Sequence, residues 1–163
     1  MVHVVFMVGV LLAHVGGPFR RVSAGPVSFE LPASWRRGNQ QGSTRFETSD
    51  GGAYVIVDVN PVETQGLSGE ECLQRILKKL PDGAKWRPAK ASSLPMAEFV
   101  AFDYSANAEE LIRTTQWVGC NGSVALAITM QLEISVNQYY GAVGEHLLET
   151  LRIDADGALE KSP

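Results

Sequence analysis

Cysteine and histidine are scarce in this chain, and their scarcity excludes most of the chemistry a protein of this size can host. Two cysteines cannot build a four-cysteine zinc site or a disulfide-dense scaffold. Of three histidines, His3 and His14 lie near the N-terminus, so His146 stands alone in the body of the chain. A hydrolytic triad needs a base with partners, and an isolated imidazole at i−4 and i+4 from Ala142 and Thr150 offers none; a surface or core-edge role is expected for it. No GxSxG elbow, HExxH pair or P-loop occurs. Residues 38–44 read GNQQGST, without the lysine of a phosphate loop. Positive charge is also lacking: 14 Lys+Arg against 18 Asp+Glu leave a net charge of −4, which argues against a nucleic-acid binder. No apolar run reaches the ~20 residues of a membrane-spanning helix. The expectation is a protein that is not an enzyme and uses no cofactor and no metal.

What is present suits one domain. The chain has 163 residues, 45% hydrophobic and 20% charged, enough for a single core. Val4 to Val15 is an apolar run of the length of a signal h-region, and Val22-Ser23-Ala24 places small residues where a signal peptidase cuts. The n-region has no Lys or Arg, and Arg20 and Arg21 follow the apolar run, which is unusual for a signal. Either residues 1–24 are a signal peptide, and the protein is exported to the periplasm or the extracellular space, or they extend an over-long gene start, and it is cytoplasmic. Both readings put residues 1–24 outside the fold, a single domain at 25–154 and a polar tail at 155–163.

Alternation of apolar and polar residues marks the strands. Val27, Phe29 and Leu31 form a short one, stopped at Pro32. Arg36 to Ser43 reads as a loop, Thr44 to Thr48 as a strand, Asp50-Gly51-Gly52 as a hairpin turn and Ala53 to Val59 as a buried strand. Ser68 with Glu71 makes a capping box, and Leu73, Ile76, Leu77 and Leu80 then form one apolar helix stripe. Lys85 to Ser93 holds a weak strand. Glu98 to Ser105 and Leu111 to Val118 pair as a hairpin, and Asn121-Gly122 turns into the clearest strand, with Val124, Leu126, Ile128, Met130, Leu132 and Ile134 on one face. Asn137 to Arg152 reads as one helix, with Tyr140, Val143, Leu147 and Leu151 inward. The order predicts an α+β domain: an antiparallel sheet of about six to seven strands with two packed helices.

The segments VSFELPASW, AYVIVDV followed by LSGEECLQRILKKL, RTTQWVGCNGSVALAITM, and a closing helix ending in LRID resemble the PsbP-like fold superfamily. That superfamily includes DcrB-like bacterial envelope proteins and type VI effector chaperones. The resemblance runs from Val27 to Ile153. It implies a module that binds proteins or assists assembly, with no shared active site to carry over. The lipid-anchor cysteine of DcrB-like proteins has no counterpart near residue 24.

Arg75, Lys78, Lys79, Lys85, Arg87 and Lys90 concentrate positive charge in an otherwise acidic chain, opposed only by Asp82. They read either as a solvated helix face or as a docking patch for an acidic protein partner. Cys72 lies beside the helix stripe and Cys120 at a hairpin tip. Nothing in the spacing brings them together, so both are expected free, although an exported protein could pair them. Glu70/Glu71 and Glu109/Glu110 read as a helix first turn and a loop. The functional expectation is a non-enzymatic protein-binding or assembly module, a monomer or weak dimer with no transmembrane helix in the mature chain. The alternatives are a cytoplasmic chaperone or adaptor for a secreted effector, and a small ligand-binding protein or hydrolase.

Overall fold

The computed structural model describes residues 17–38, 40–62, 66–80, 85–107 and 109–154. The expected polar tail lies outside the described residues, as does the apolar run of the expected signal.

Ten strands and three helices follow one another: β1 (Phe19–Ala24), β2 (Val27–Pro32), β3 (Arg36–Gly38), β4 (Thr44–Glu47), β5 (Ala53–Pro61), α1 (Gly69–Leu77), β6 (Arg87–Ala89), β7 (Met96–Tyr104), β8 (Leu111–Cys120), β9 (Val124–Glu133), α2 (Asn137–Tyr140), α3 (Val143–Thr150) and β10 (Arg152–Ile153). A 3₁₀ turn at Ile134–Val136 leads into α2. Seven strands form one antiparallel sheet in the order β3-β4-β5-β9-β8-β7-β6, and β1-β2-β10 form a second sheet of three. The fold class is α+β, with the expected seven-stranded sheet at its centre. The second sheet was not foreseen.

The period of β9 decides which face is buried. Leu126, Ile128, Met130 and Leu132 point into the core, with Ile128 fully buried. Across the strand pair they meet Val59, Val57, Val55 and Ala53 of β5. The small sheet and α3 cover this face, contributing Phe29, Leu31, Leu147 and Leu151 to the same core. Phe29 meets Phe46 edge-on at 5.8 Å, and Trp35 meets Tyr140 edge-on at 5.7 Å, the geometry that aromatic quadrupoles favour.

Three expectations need correcting. Residues 1–24 do not all stay outside the fold: Phe19–Ala24 is β1, paired along its whole length with β2, with Val22 opposite Phe29. Val22 and Ala24 are buried, so two inward residues suffice to seat a strand that otherwise carries Arg20, Arg21 and Ser23. Arg36 to Ser43 is not all loop, because Arg36–Gly38 pairs with β4 as an edge strand. The last helix is broken into α2 and α3 around Gly141 and Ala142, where the weak helix propensity of glycine lets the chain turn.

Candidate functional site

The basic segment begins on α1, which packs on the sheet face opposite the main core. Its stripe buries Leu73 against Ala97 and Val118, with Ile76, Leu77, Leu80 and Trp86 packed around them. The N-terminus of the helix is fixed by several devices. The Ser68 hydroxyl accepts from the Glu71 N–H, and the Glu71 carboxylate accepts from the Ser68 N–H at 2.9 Å, the expected capping box. That bond, followed by the one from the Ser68 hydroxyl, holds the Glu71 carboxyl below its ordinary pKa. A lowered carboxylate pKa stabilises the fold above the ordinary carboxylate range, and the contribution is lost as pH falls through the lowered value. Losing the N-cap hydroxyl in Ser68→Ala should cost about 1 kcal/mol; because the hydroxyl also bonds the Glu71 carboxylate, the difference from wild type should shrink in acid, and a pH-independent difference in urea titrations would contradict this.

The second device corrects the expectation of free thiols. Cys72 and Cys120 form a disulfide with Cα atoms 5.9 Å apart. The β8–β9 turn comes back beneath the start of α1, which joins residues 48 positions apart. Two glycines permit the approach. A Cβ on Gly69 would lie 2.8 Å from the Cys120 carbonyl oxygen, and one on Gly122 (φ +92) would lie 2.6 Å from that of Leu67.

Five of the six basic residues are exposed and make no ion pair among the described residues: Arg75, Lys78, Lys79, Lys85 and Lys90. Arg75 stands one turn after Glu71 and helps lower its pKa. Arg87 does not join them. It is the cross-strand partner of Glu98, to which its Nε donates at 2.7 Å, while the Trp117 indole N–H donates to the other Glu98 oxygen at 2.9 Å. Arg87 thus helps hold the carboxylate that bonds a buried tryptophan, and it also lines the groove beside α1.

A groove of about 400 Å³ runs between α1 and the β6–β7 edge, lined by Leu73, Leu77, Trp86, Pro88 and Ala97, with Glu70 and Gln74 at its side. The Trp86 indole N–H is buried there without a hydrogen-bond partner among the described residues, and its ring rests on Phe99 at 5.6 Å. An unsatisfied buried donor costs free energy until an acceptor reaches it. Composition alone could not show this groove, because Trp86 joins α1 only through tertiary packing.

A cleft of about 780 Å³ opens between the two sheets, with the β8–β9 turn at its rim. Val57, Val59, Val124 and Ile153 line it, with Ser43 and Asp154 among its polar groups. Its size suits a small molecule.

His146 has a partner that sequence inspection missed. Its Nε2 lies 3.1 Å from a Glu30 carboxylate oxygen. The other Glu30 oxygen takes Arg21 at 3.3 Å, and the Glu30 N–H donates to Thr150 Oγ1 at 3.0 Å. This network ties α3 to the small sheet across 116 residues of sequence. Among the described residues no group of three or more His, Cys, Asp or Glu could hold a metal ion. No described helix is long and apolar enough to cross a membrane.

Solved structures share this architecture. A protein from Bacteroides thetaiotaomicron VPI-5482 superposes with a TM-score of 0.65 at 17% identity, over 86% of this chain and 49% of that one. LpqN, involved in cell envelope biogenesis of Mycobacterium tuberculosis, matches with a TM-score of 0.55 at 13% identity over 85% of this chain and 87% of its own. The cyanobacterial PsbP of Synechocystis sp. PCC 6803 matches with a TM-score of 0.53 at 9% identity, over 83% of this chain and 92% of its own. The fold is PsbP-like. No protein-family model matches the chain, and no curated protein matches it. The PsbP-like domain spans about half the length of the Bacteroides chain.

Proposed function

We propose that this PsbP-like domain is a non-enzymatic binding module that works outside the reducing cytoplasm. It docks a protein segment carrying acidic and apolar side chains on α1 and the groove beside it. The groove is the observation that carries the reading. It offers an apolar floor at Leu77 and Trp86, and exposed lysines without ion pairs among the described residues at the C-terminal end of the same helix and in the connection that follows it. Carboxylates of a partner answer the lysines, and its apolar side chains answer the floor.

The Cys72–Cys120 disulfide supports the compartment, because such bonds persist in oxidising surroundings and are rare in the cytosol. The link of LpqN to the cell envelope points the same way. A cytoplasmic chaperone or adaptor for a secreted effector fits the disulfide less well.

Changing Lys78, Lys79 and Lys85 together to Ser should slow association with a co-purified partner and flatten its salt dependence. Thermal stability should stay nearly constant, since all three side chains are exposed. Unaltered association rates across a salt series would move the interface elsewhere.

A further inference from the structure

The outer edge of β7 is only partly covered. β6 pairs with Met96, Ala97 and Glu98 and stops there. Pro88 stands opposite Ala97 and has no N–H, so the pairs that exchange two hydrogen bonds are Arg87–Glu98 and Ala89–Met96. Continuing that alternation turns the N–H and C=O groups of Val100, Phe102 and Tyr104 outward, away from β8. Two bonds agree: the Ser105 N–H donates back across the hairpin to the Glu110 carbonyl, and the Tyr104 N–H is closed by the Asp103 carboxylate at 2.8 Å. The outward N–H groups of Val100 and Phe102 have no partner among the described residues.

Other strand edges of the molecule are guarded. β3 has three residues, two of them arginine. β6 has three, with Arg87 and Pro88. β1 carries Arg20 and Arg21, and β10 has two residues. Short length, positive charge and proline are the devices that keep sheet edges from pairing. Val100–Tyr104 has none of them. It carries Phe102 and Tyr104 at 60% and 64% exposure. Ile134 and Tyr139, also exposed, lie on the 3₁₀ turn and α2 that follow β9 and pack beside β8. The Ser135 N–H donates to Glu110 at the foot of β8, and Arg113, the cross-strand partner of Phe102, donates to Asn137 at 3.4 Å. Two of the large exposed apolar side chains of the described residues, Phe102 and Tyr104, therefore stand side by side on this open edge, and such clustering marks an interaction surface.

We propose that Val100–Tyr104 pairs antiparallel with the same stretch of a second copy of this chain about a two-fold axis at Phe102, joining the two seven-stranded sheets. The stretch complements itself. Phe102 faces Phe102 of the other copy as a hydrogen-bonded pair, and Val100 faces Tyr104, its N–H donating to the Tyr104 carbonyl while the Tyr104 N–H stays with Asp103. Asp103, its only charge, stands opposite Ala101, so no like charges meet. A two-fold interface uses one patch twice and is the commonest way a chain associates with itself. Five residues of strand and a few rings bury less than the ~1,200 Å² of a standard stable interface, so the dimer is weak and forms with rising concentration.

Sedimentation velocity on the full chain over a hundredfold concentration range, ending in the high micromolar, tests this. The wild type should shift from monomer to dimer. Phe102→Lys puts a charge on the open edge without disturbing the core and should stay monomeric throughout. Phe102→Pro removes the ring and an outward N–H but no N–H that faces β8, and should do the same while keeping the β7–β8 ladder. A wild type that stays monomeric overturns the proposal, as does one that remains monomeric yet captures a strand of a different protein. A Phe102→Pro variant that still dimerises overturns edge pairing; if that variant fails to fold, Phe102→Lys alone decides.

Discussion

Replacing Cys72 and Cys120 together by alanine should lower the unfolding free energy by about 4 kcal/mol, the chain-entropy value for a loop closed across 48 residues. Urea titrations of wild type with and without reductant should show the same loss. The effect should be local before it is global. Of the two cysteine side chains, one lies in the first turns of α1 and the other at the end of β8. Both are buried, so the bond replaces core that this short helix does not supply itself. Without it, amide exchange in α1 should rise toward that of a frayed segment while β5, β8 and β9 stay protected. A midpoint indifferent to reductant, with α1 equally protected, would mean that packing of Leu73 on Ala97 and Val118 holds the helix unaided. The result also bears on binding, because the same bond fixes the helix whose C-terminal end leads into Lys78 and Lys79.

Local order was legible in the residues where one physical signal dominated. The alternation from Val124 gave β9 its buried face, although it continues to Ile134, which the structure places in the 3₁₀ turn and exposes. Ser68 and Glu71 marked the start of α1, and Asp50-Gly51-Gly52 and Asn121-Gly122 marked turns. What stayed hidden depends on distant partners. Spacing does not show that the β8–β9 turn passes beneath the start of α1, so the disulfide was missed. Glu30 and His146 meet only once the small sheet folds over α3. Arg87 looked like one more cation of the patch, and only the β6–β7 register, which sets it opposite Glu98, removes it. The open edge of β7 could not be seen before the pairing of β6 was known to end opposite Glu98, since an edge is a property of the neighbour that is absent. The basic patch was legible as charge, but its groove was not.

The same reasoning applies to β1, whose loss should cost more than any single substitution argued above. A chain starting at Gly25 lacks Val22 and Ala24, both buried in the main core; burying Val22 alone is worth about 2 kcal/mol. It also lacks a ladder of six residue pairs on β2. Three further ties go with it: the Pro18 carbonyl that accepts from the Ala33 N–H at 2.8 Å, Arg20 donating to the Trp35 carbonyl at 2.8 Å, and Arg21 bridging Glu30 and the Thr150 carbonyl. β2 would keep only the two-residue β10 as a neighbour, although Phe29 and Leu31 are among its fully buried side chains. Deleting residues 1–24 should therefore lower stability by on the order of 5 kcal/mol, a large part of what a domain this size possesses. Thermal melts of the deletion against the full chain measure this directly. The prediction extends to processing. If the protein is exported, the mature N-terminus should lie before Phe19, since cleavage after Ala24 would remove a strand the core uses. A mature protein beginning at Gly25 and melting with the full chain would show that β2 and α3 close the core without β1.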